Sequence, residues 1–256
     1  MRYRTFSHKD AHYRFLAARP GVVTGEIVRL RGELEAYIRR NPLFQRSLEP
    51  VPALPGAPPV ALAMHRASDL TGVGPMAAVA GAVAEAAVRA ALEAGMEKER
   101  SPGTGLPGRG AVVENGGDIF LWMPRETVVG LFAGAGSLSG RIGFAVPPER
   151  MPLAICSSSG TMGHALSFGR ADLATVTAAD GALADAAATL AGNLVRTDRD
   201  IAAALDRVCS IPGVLGALIV VGEKVGFEGD LPPLVPVRDR NFTAKITRDR
   251  RSGFVF

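Results

Sequence analysis

Apolar and polar positions change their spacing several times along the chain, and each change marks an element. Residues 3–5 and 11–16 alternate loosely, which predicts a short strand pair before a turn at Pro20-Gly21. Ile27, Leu30, Leu34 and Ile38 then recur at helical spacing, with Thr24 placed to cap the helix and Asn41-Pro42 to end it. Proline and alanine dominate residues 49–59, as expected of an extended connector, and residues 60–64 read as a strand.

A long helix is predicted from Pro75, whose missing amide hydrogen costs little in a first turn, with Gly95 at its end. Nearly every side chain between is small. Alanine favours the helix, and Gly81 lets a neighbouring backbone come close, so burial against a sheet is expected. Residues 111–114 and 119–123 flank Asn115-Gly116-Gly117-Asp118 as a hairpin. Residues 128–133, 142–146, 153–157 and 173–177 are short β-prone pieces separated by Gly, Pro or Ser. Asp180 is placed to cap a helix ending near residue 191, Asp198 a second reaching Cys209, and residues 215–221 and 225–227 form a last hairpin. No fixed period repeats. The mixture predicts an α+β fold of largely antiparallel sheets packed with helices, in one domain over residues 1–256.

Composition narrows the function classes. The 256 residues are 47% hydrophobic and 21% charged, enough to build a core without staples. The net charge of +4 owes much to Arg238, Lys245, Arg248, Arg250 and Arg251, which read as a solvated surface. Few aromatic residues interleave with them and no reading helix or RNA motif is present, so no nucleic-acid partner is expected. Cys156 and Cys209 imply no disulfide framework. The first 15 residues hold no apolar run, so neither a secretory signal nor a membrane span is expected and the cytoplasm is the expected location.

Four segments carry candidate chemistry. Gly72 and Gly74, followed by Met76 and Ala77, present backbone amides at a helix start, where phosphate or carboxylate binds; a tight turn into a packed helix has the same pattern. Asn115, Gly116, Gly117 and Asp118 are either a plain hairpin turn or a place where a ligand can approach the backbone. The run from Ser157 through Ser159, Gly160 and Thr161 to His164 offers hydroxyls, amides and one imidazole. It lacks the Gly-x-Ser-x-Gly elbow of a serine hydrolase, and His164 is read as a catalyst or as a structural residue. Asp185 and Thr189 stand four apart on an alanine-rich helix. Their oxygens share one face and suit a hard cation such as magnesium, unless Asp185 points to solvent and Thr189 bonds back to the preceding turn.

In order, Thr71-Gly-Val-Gly-Pro-Met-Ala-Ala, Asn115-Gly-Gly-Asp-Ile, Ser157-Ser-Ser-Gly and Asp185-Ala-Ala-Ala-Thr resemble the motif series of the ApbE-like superfamily. Its known activity is transfer of FMN from FAD to a protein. The resemblance spans residues 70–193. It implies an ApbE-like, T-fold-like architecture, a flavin nucleotide (FAD or FMN) as small-molecule ligand, and Mg2+ on Asp185 and Thr189 with a backbone carbonyl from residues 72–78. By the same resemblance Gly116, Gly117 and Asp118 line the flavin pocket, and His164 corresponds to the family's His before Asp-Pro. The chain departs from the family pattern in its shortened Asn-Gly-Gly motif and in lacking the Asp-Pro-x-x-Gly loop and the N-terminal Met-Gly-Thr segment. It looks most like a cytoplasmic branch of the superfamily found in anaerobic bacteria and archaea and linked to sulfur and homocysteine metabolism. That leaves an FMN transferase or, alternatively, a non-catalytic auxiliary protein in which Cys156 or Cys209 carries sulfur. Surfaces of small residues would suit a homodimer as readily as a close-packed core.

Overall fold

In the computed structural model, residues 1–99, 110–133, 139–160 and 169–237 are described. The first strand pair is β1 (Arg4–His8) and β2 (Ala11–Leu16), as the alternation predicts. Helix α1 (Pro20–Arg40) begins earlier than its polar pattern suggests, with Pro20 in its first turn; Thr24 lies inside it and donates to the Gly21 carbonyl at 3.3 Å. A short helix α2 (Pro42–Arg46) follows directly.

Residues 60–64 are helical, not a strand. They open α3 (Pro59–Thr71), where Pro59 fits the first turn and Val60, Ala61, Met64, Ala67 and Ser68 are buried at a helical period. Gly72 ends α3 with φ +80°, its N–H donating to the Ser68 carbonyl at 2.7 Å. A 3-10 turn at Pro75–Ala78 leads into α4 (Val79–Glu99), which continues through Gly95.

Strands β3 (Ala111–Asn115) and β4 (Asp118–Trp122) form the expected hairpin, with Asn115 opposite Asp118. Then come β5 (Thr127–Gly130), β6 (Ile142–Val146), β7 (Leu153–Ser158) and β8 (Leu173–Ala178). Asp180 caps α5 (Gly181–Leu194) by accepting the Leu183 N–H at 2.8 Å. The cap before α6 (Ile201–Cys209) is not Asp198 but a Thr197–Asp200 capping box. The chain continues through β9 (Val214–Val221), β10 (Lys224–Gly229) and β11 (Leu234–Pro236).

Among the described residues the strands make an eight-stranded antiparallel sheet, ordered β1-β2-β3-β4-β7-β8-β9-β10, and a three-stranded sheet, β11-β6-β5. The central strands are apolar on both faces. On one face, Ala111, Ala154, Cys156, Ala174, Val176, Ala178 and Ala217 meet the helices. On the other, Leu153, Ile155, Leu173, Leu218 and Val220 pack with Phe144 and Val146 of the smaller sheet.

Along β7 and β8 the helix-side face is thus mostly small and the opposite face large, which matches the composition of α4 and α5. Alanine helices on an alanine face bring backbones together. At the crossing, a Cβ on Gly81 would lie 2.0 Å from the Gly181 carbonyl oxygen, and one on Gly181 would lie 2.4 Å from that of Gly81. The segment 75–95 is apolar enough to cross a bilayer by composition, but half of its best window is buried in the chain, as befits a core helix.

Candidate functional site

The first turn of any helix leaves backbone N–H groups without intrahelical partners. Helices α4 and α5 supply these partners to each other. Asp185 Oδ2 of α5 accepts the Gly81 N–H of α4 at 2.9 Å, and Glu85 Oε2 of α4 accepts the Gly181 N–H of α5 at 2.6 Å. The pairs 81/185 and 85/181 show that the helices pass in opposite senses, glycine against glycine.

Asp185 is therefore buried, at 9% exposure, and the reading that points it to solvent does not hold. No lysine or arginine among the described residues forms an ion pair with it. Burial holds its carboxyl well above the usual range; Asp118 adds to the rise, and the Gly81 and Ala80 N–H groups oppose it.

Asp118 opens β4 and is buried too, at 8% exposure. Its Oδ1 accepts the Ser157 N–H at 3.1 Å, which fixes the end of β7 to the hairpin turn. Burial pushes its carboxyl up to about 7 against the pull of Ser157 and Cys156, with Glu114 raising it further. The Cys156 thiol is fully buried and 3.8 Å from the Gly181 carbonyl. Its pKa is raised by burial first and then by Asp118 and Asp185. Two carboxyls and a thiol thus influence one another in a region of low dielectric, at the meeting of β4, β7, α4 and α5.

The other anticipated residues fall into separate places. Thr189, half-buried, follows Asp185 by one turn. Ser159 and Gly160 are half-buried beyond β7, and a Cβ on Gly160 would lie 2.2 Å from the Gly169 carbonyl oxygen. Gly72 is open around its Cα. Gly74 is not, since a Cβ there would meet the Ser47 carbonyl oxygen at 2.0 Å, so close chain packing accounts for that glycine. Met76 and Ala77 are half-buried against the helix-side core. Gly116 and Gly117 have φ of +67° and +110° with open space around each. Asn115 and Gly116 line a cavity on the α1 side whose lining does not include Asp118. Thr161 and His164 lie outside the described residues.

Sequence reasoning missed the acceptor role of Glu85 and the pairing of Gly81 with Gly181. The available signal was a glycine in the first turn of each of two alanine-rich helices. Among the described residues no three His, Cys, Asp or Glu side chains converge to hold a metal. Any cation at Asp185 would therefore take its remaining ligands from hydroxyl, carbonyl or phosphate oxygens. Cys209 is half-buried with its thiol 3.7 Å from the Glu228 carbonyl, and burial raises its pKa.

Comparison with known proteins places this arrangement in a family. The family model described as AbpE bacteria matches residues 18–224. The chain is 43% identical over 209 residues to a UPF0280 protein of Methanocella arvoryzae, covering 82% of this chain and 80% of that protein. It is 42% identical over 219 residues to a UPF0280 protein of Methanothermobacter thermautotrophicus, covering 84% and 78% respectively. The chain belongs to this ApbE-like family. Among solved structures it is similar to the apo Pseudomonas stutzeri flavinyl transferase ApbE, with 10% identity, TM-score 0.47 and coverage of 89% of this chain and 94% of that one. It is also similar to the flavin transferase ApbE from Vibrio cholerae, with 13% identity, TM-score 0.46 and coverage of 90% and 96%.

Proposed function

We propose that this protein binds a flavin nucleotide, or another ligand bearing a phosphate, together with Mg2+ held by Asp185 and Thr189. The observation that carries the reading is the buried Asp185 carboxylate, which has a second carboxyl nearby and no paired lysine or arginine among the described residues. Such a group costs free energy when charged unless a cation offsets it. Magnesium is commonly held by one or two carboxylates together with substrate phosphates, so this sparse oxygen donor set fits the ion. When bound, the ion supplies charge neutralisation for a pyrophosphate.

The chain's own residues then have distinct tasks. Gly81 N–H fixes one oxygen of Asp185 and so orients the carboxylate. Asp118 holds the Ser157 amide and with it the start of the Ser-Ser-Ser-Gly segment. The close Gly81–Gly181 crossing packs the two helix backbones together beside Asp185. Residual FMN transfer is a narrower reading that shares this site.

Calorimetric titration of the purified protein with FAD, with and without Mg2+, tests the reading, and mass spectrometry of the mixture for AMP tests transfer. Magnesium-dependent binding is expected. Binding without AMP release assigns a flavin carrier or sensor. FAD binding of equal strength in the presence of a chelator removes the metal from the proposal.

A further inference from the structure

A cavity of about 210 Å³ lies between the β1–β2 hairpin, α1, the first turns of α4 and the 115–118 turn, and Asp185 is not among its lining residues. Val79, Ala80 and Val83 give it an apolar wall, while Arg31, Tyr13 and His12 give it a polar one. Two donors at this cavity stand out. The Tyr13 hydroxyl is buried without a hydrogen-bond partner, on a residue only 1% exposed, and the Arg31 Nε is buried in the same state. Buried polar atoms are nearly always satisfied in native proteins, so an unmatched pair side by side calls for an acceptor.

Arg31 pairs through Nη2 with Asp10, whose side chain is 75% exposed. That carboxylate leaves Nε free and sits where solvent can take it. Charge and geometry therefore favour a ligand oxyanion that accepts from Arg31 and Tyr13 and partly replaces Asp10. Asn115 and Gly116 complete the lining, and the apolar wall of Val79, Ala80 and Val83 suits hydrocarbon in the rest of the ligand.

We infer that this cavity is a second binding site, for a small monocarboxylate with an apolar body, whose oxygens meet Arg31 and Tyr13 and whose hydrocarbon lies on Val79, Ala80 and Val83. Ala80 borders both places, since its N–H also reaches Asp185, but the inference rests on Tyr13 and Arg31, and neither of these hydrogen-bonds Asp185.

The test is NMR or calorimetric titration of the full chain with isovalerate and, separately, with inorganic phosphate. Saturable isovalerate binding is expected. Tyr13→Phe, which keeps the ring and its packing, should weaken it roughly tenfold, the equivalent of about 1.4 kcal/mol for one charge-assisted hydrogen bond. Arg31→Gln should weaken it at least as much, and Asp10→Asn should tighten it by removing the competing carboxylate. Unfolding profiles matching the wild type show that each variant folds. Absence of saturation, or binding unchanged by Tyr13→Phe and Arg31→Gln, overturns the site. Phosphate binding as well as or better than isovalerate overturns the apolar-body assignment.

Discussion

Replacing Asp118 by asparagine tests the electrostatics of the buried carboxyl group directly. Burial raises its carboxyl from 3.8 to about 7 in the folded protein. Between about pH 4 and pH 7 the folded chain therefore holds a proton that the unfolded chain releases, and stability falls as pH rises through that window. At about 1.4 kcal/mol per tenfold step, the full interval amounts to about 4 kcal/mol, an upper bound reached once pH exceeds 7. Asp185 acts with the same sign, its carboxyl being raised chiefly by burial. Asparagine cannot ionise but still presents an oxygen to the Ser157 N–H. Urea unfolding in a chelator at pH 5 and pH 8 spans about two of those tenfold steps and should show the wild type losing more stability than Asp118→Asn, by up to about 2.6 kcal/mol. Parallel pH profiles for the two proteins would refute the reasoning.

Gly81→Ala should destabilise by about 3 kcal/mol in chemical denaturation, although alanine gains about 1 kcal/mol in helix propensity, because its Cβ would meet the Gly181 carbonyl oxygen at 2.0 Å; a stabilised variant would mean that the crossing is loose. Glu85→Ala should cost about 1–2 kcal/mol by leaving the Gly181 N–H without its acceptor, and Glu85→Gln should recover part of it. Cys156 is buried with a raised pKa, so iodoacetamide should leave it unmodified in native protein, as read by mass spectrometry, and modify it on unfolding. Rapid native labelling of Cys156 or Cys209 would instead support the sulfur-carrier reading.

Much of the frame was legible because local patterns carried it. The 111–123 hairpin follows from glycines that must adopt positive φ, and the α5 start follows from an aspartate that caps its own helix. Residues 60–64 misled because a run of apolar residues fits strand and helix alike, and only the preceding Pro58-Pro59 and the burial of Ala67 and Ser68 settle it. The site was half legible. Asp185 stood out as the lone acid among alanines, but its partner, the Gly81 amide, lies 104 residues away in the chain. No local rule reaches that distance. The same holds for Gly74, whose ligand-like setting in sequence is explained by the backbone of Ser47 and Leu48.

The most direct measurement of the central claim is an Mg2+ titration, in the presence of FAD, of the wild type and Asp185→Asn at pH 8. The carboxamide keeps an acceptor for Gly81 and removes the charge. The account predicts saturable Mg2+ binding in the wild type and at least a tenfold loss in the variant, as expected when an anionic ligand becomes neutral. Equal Mg2+ affinity in two equally folded proteins would contradict it and leave Asp185 as the cap of a neighbouring helix and nothing more.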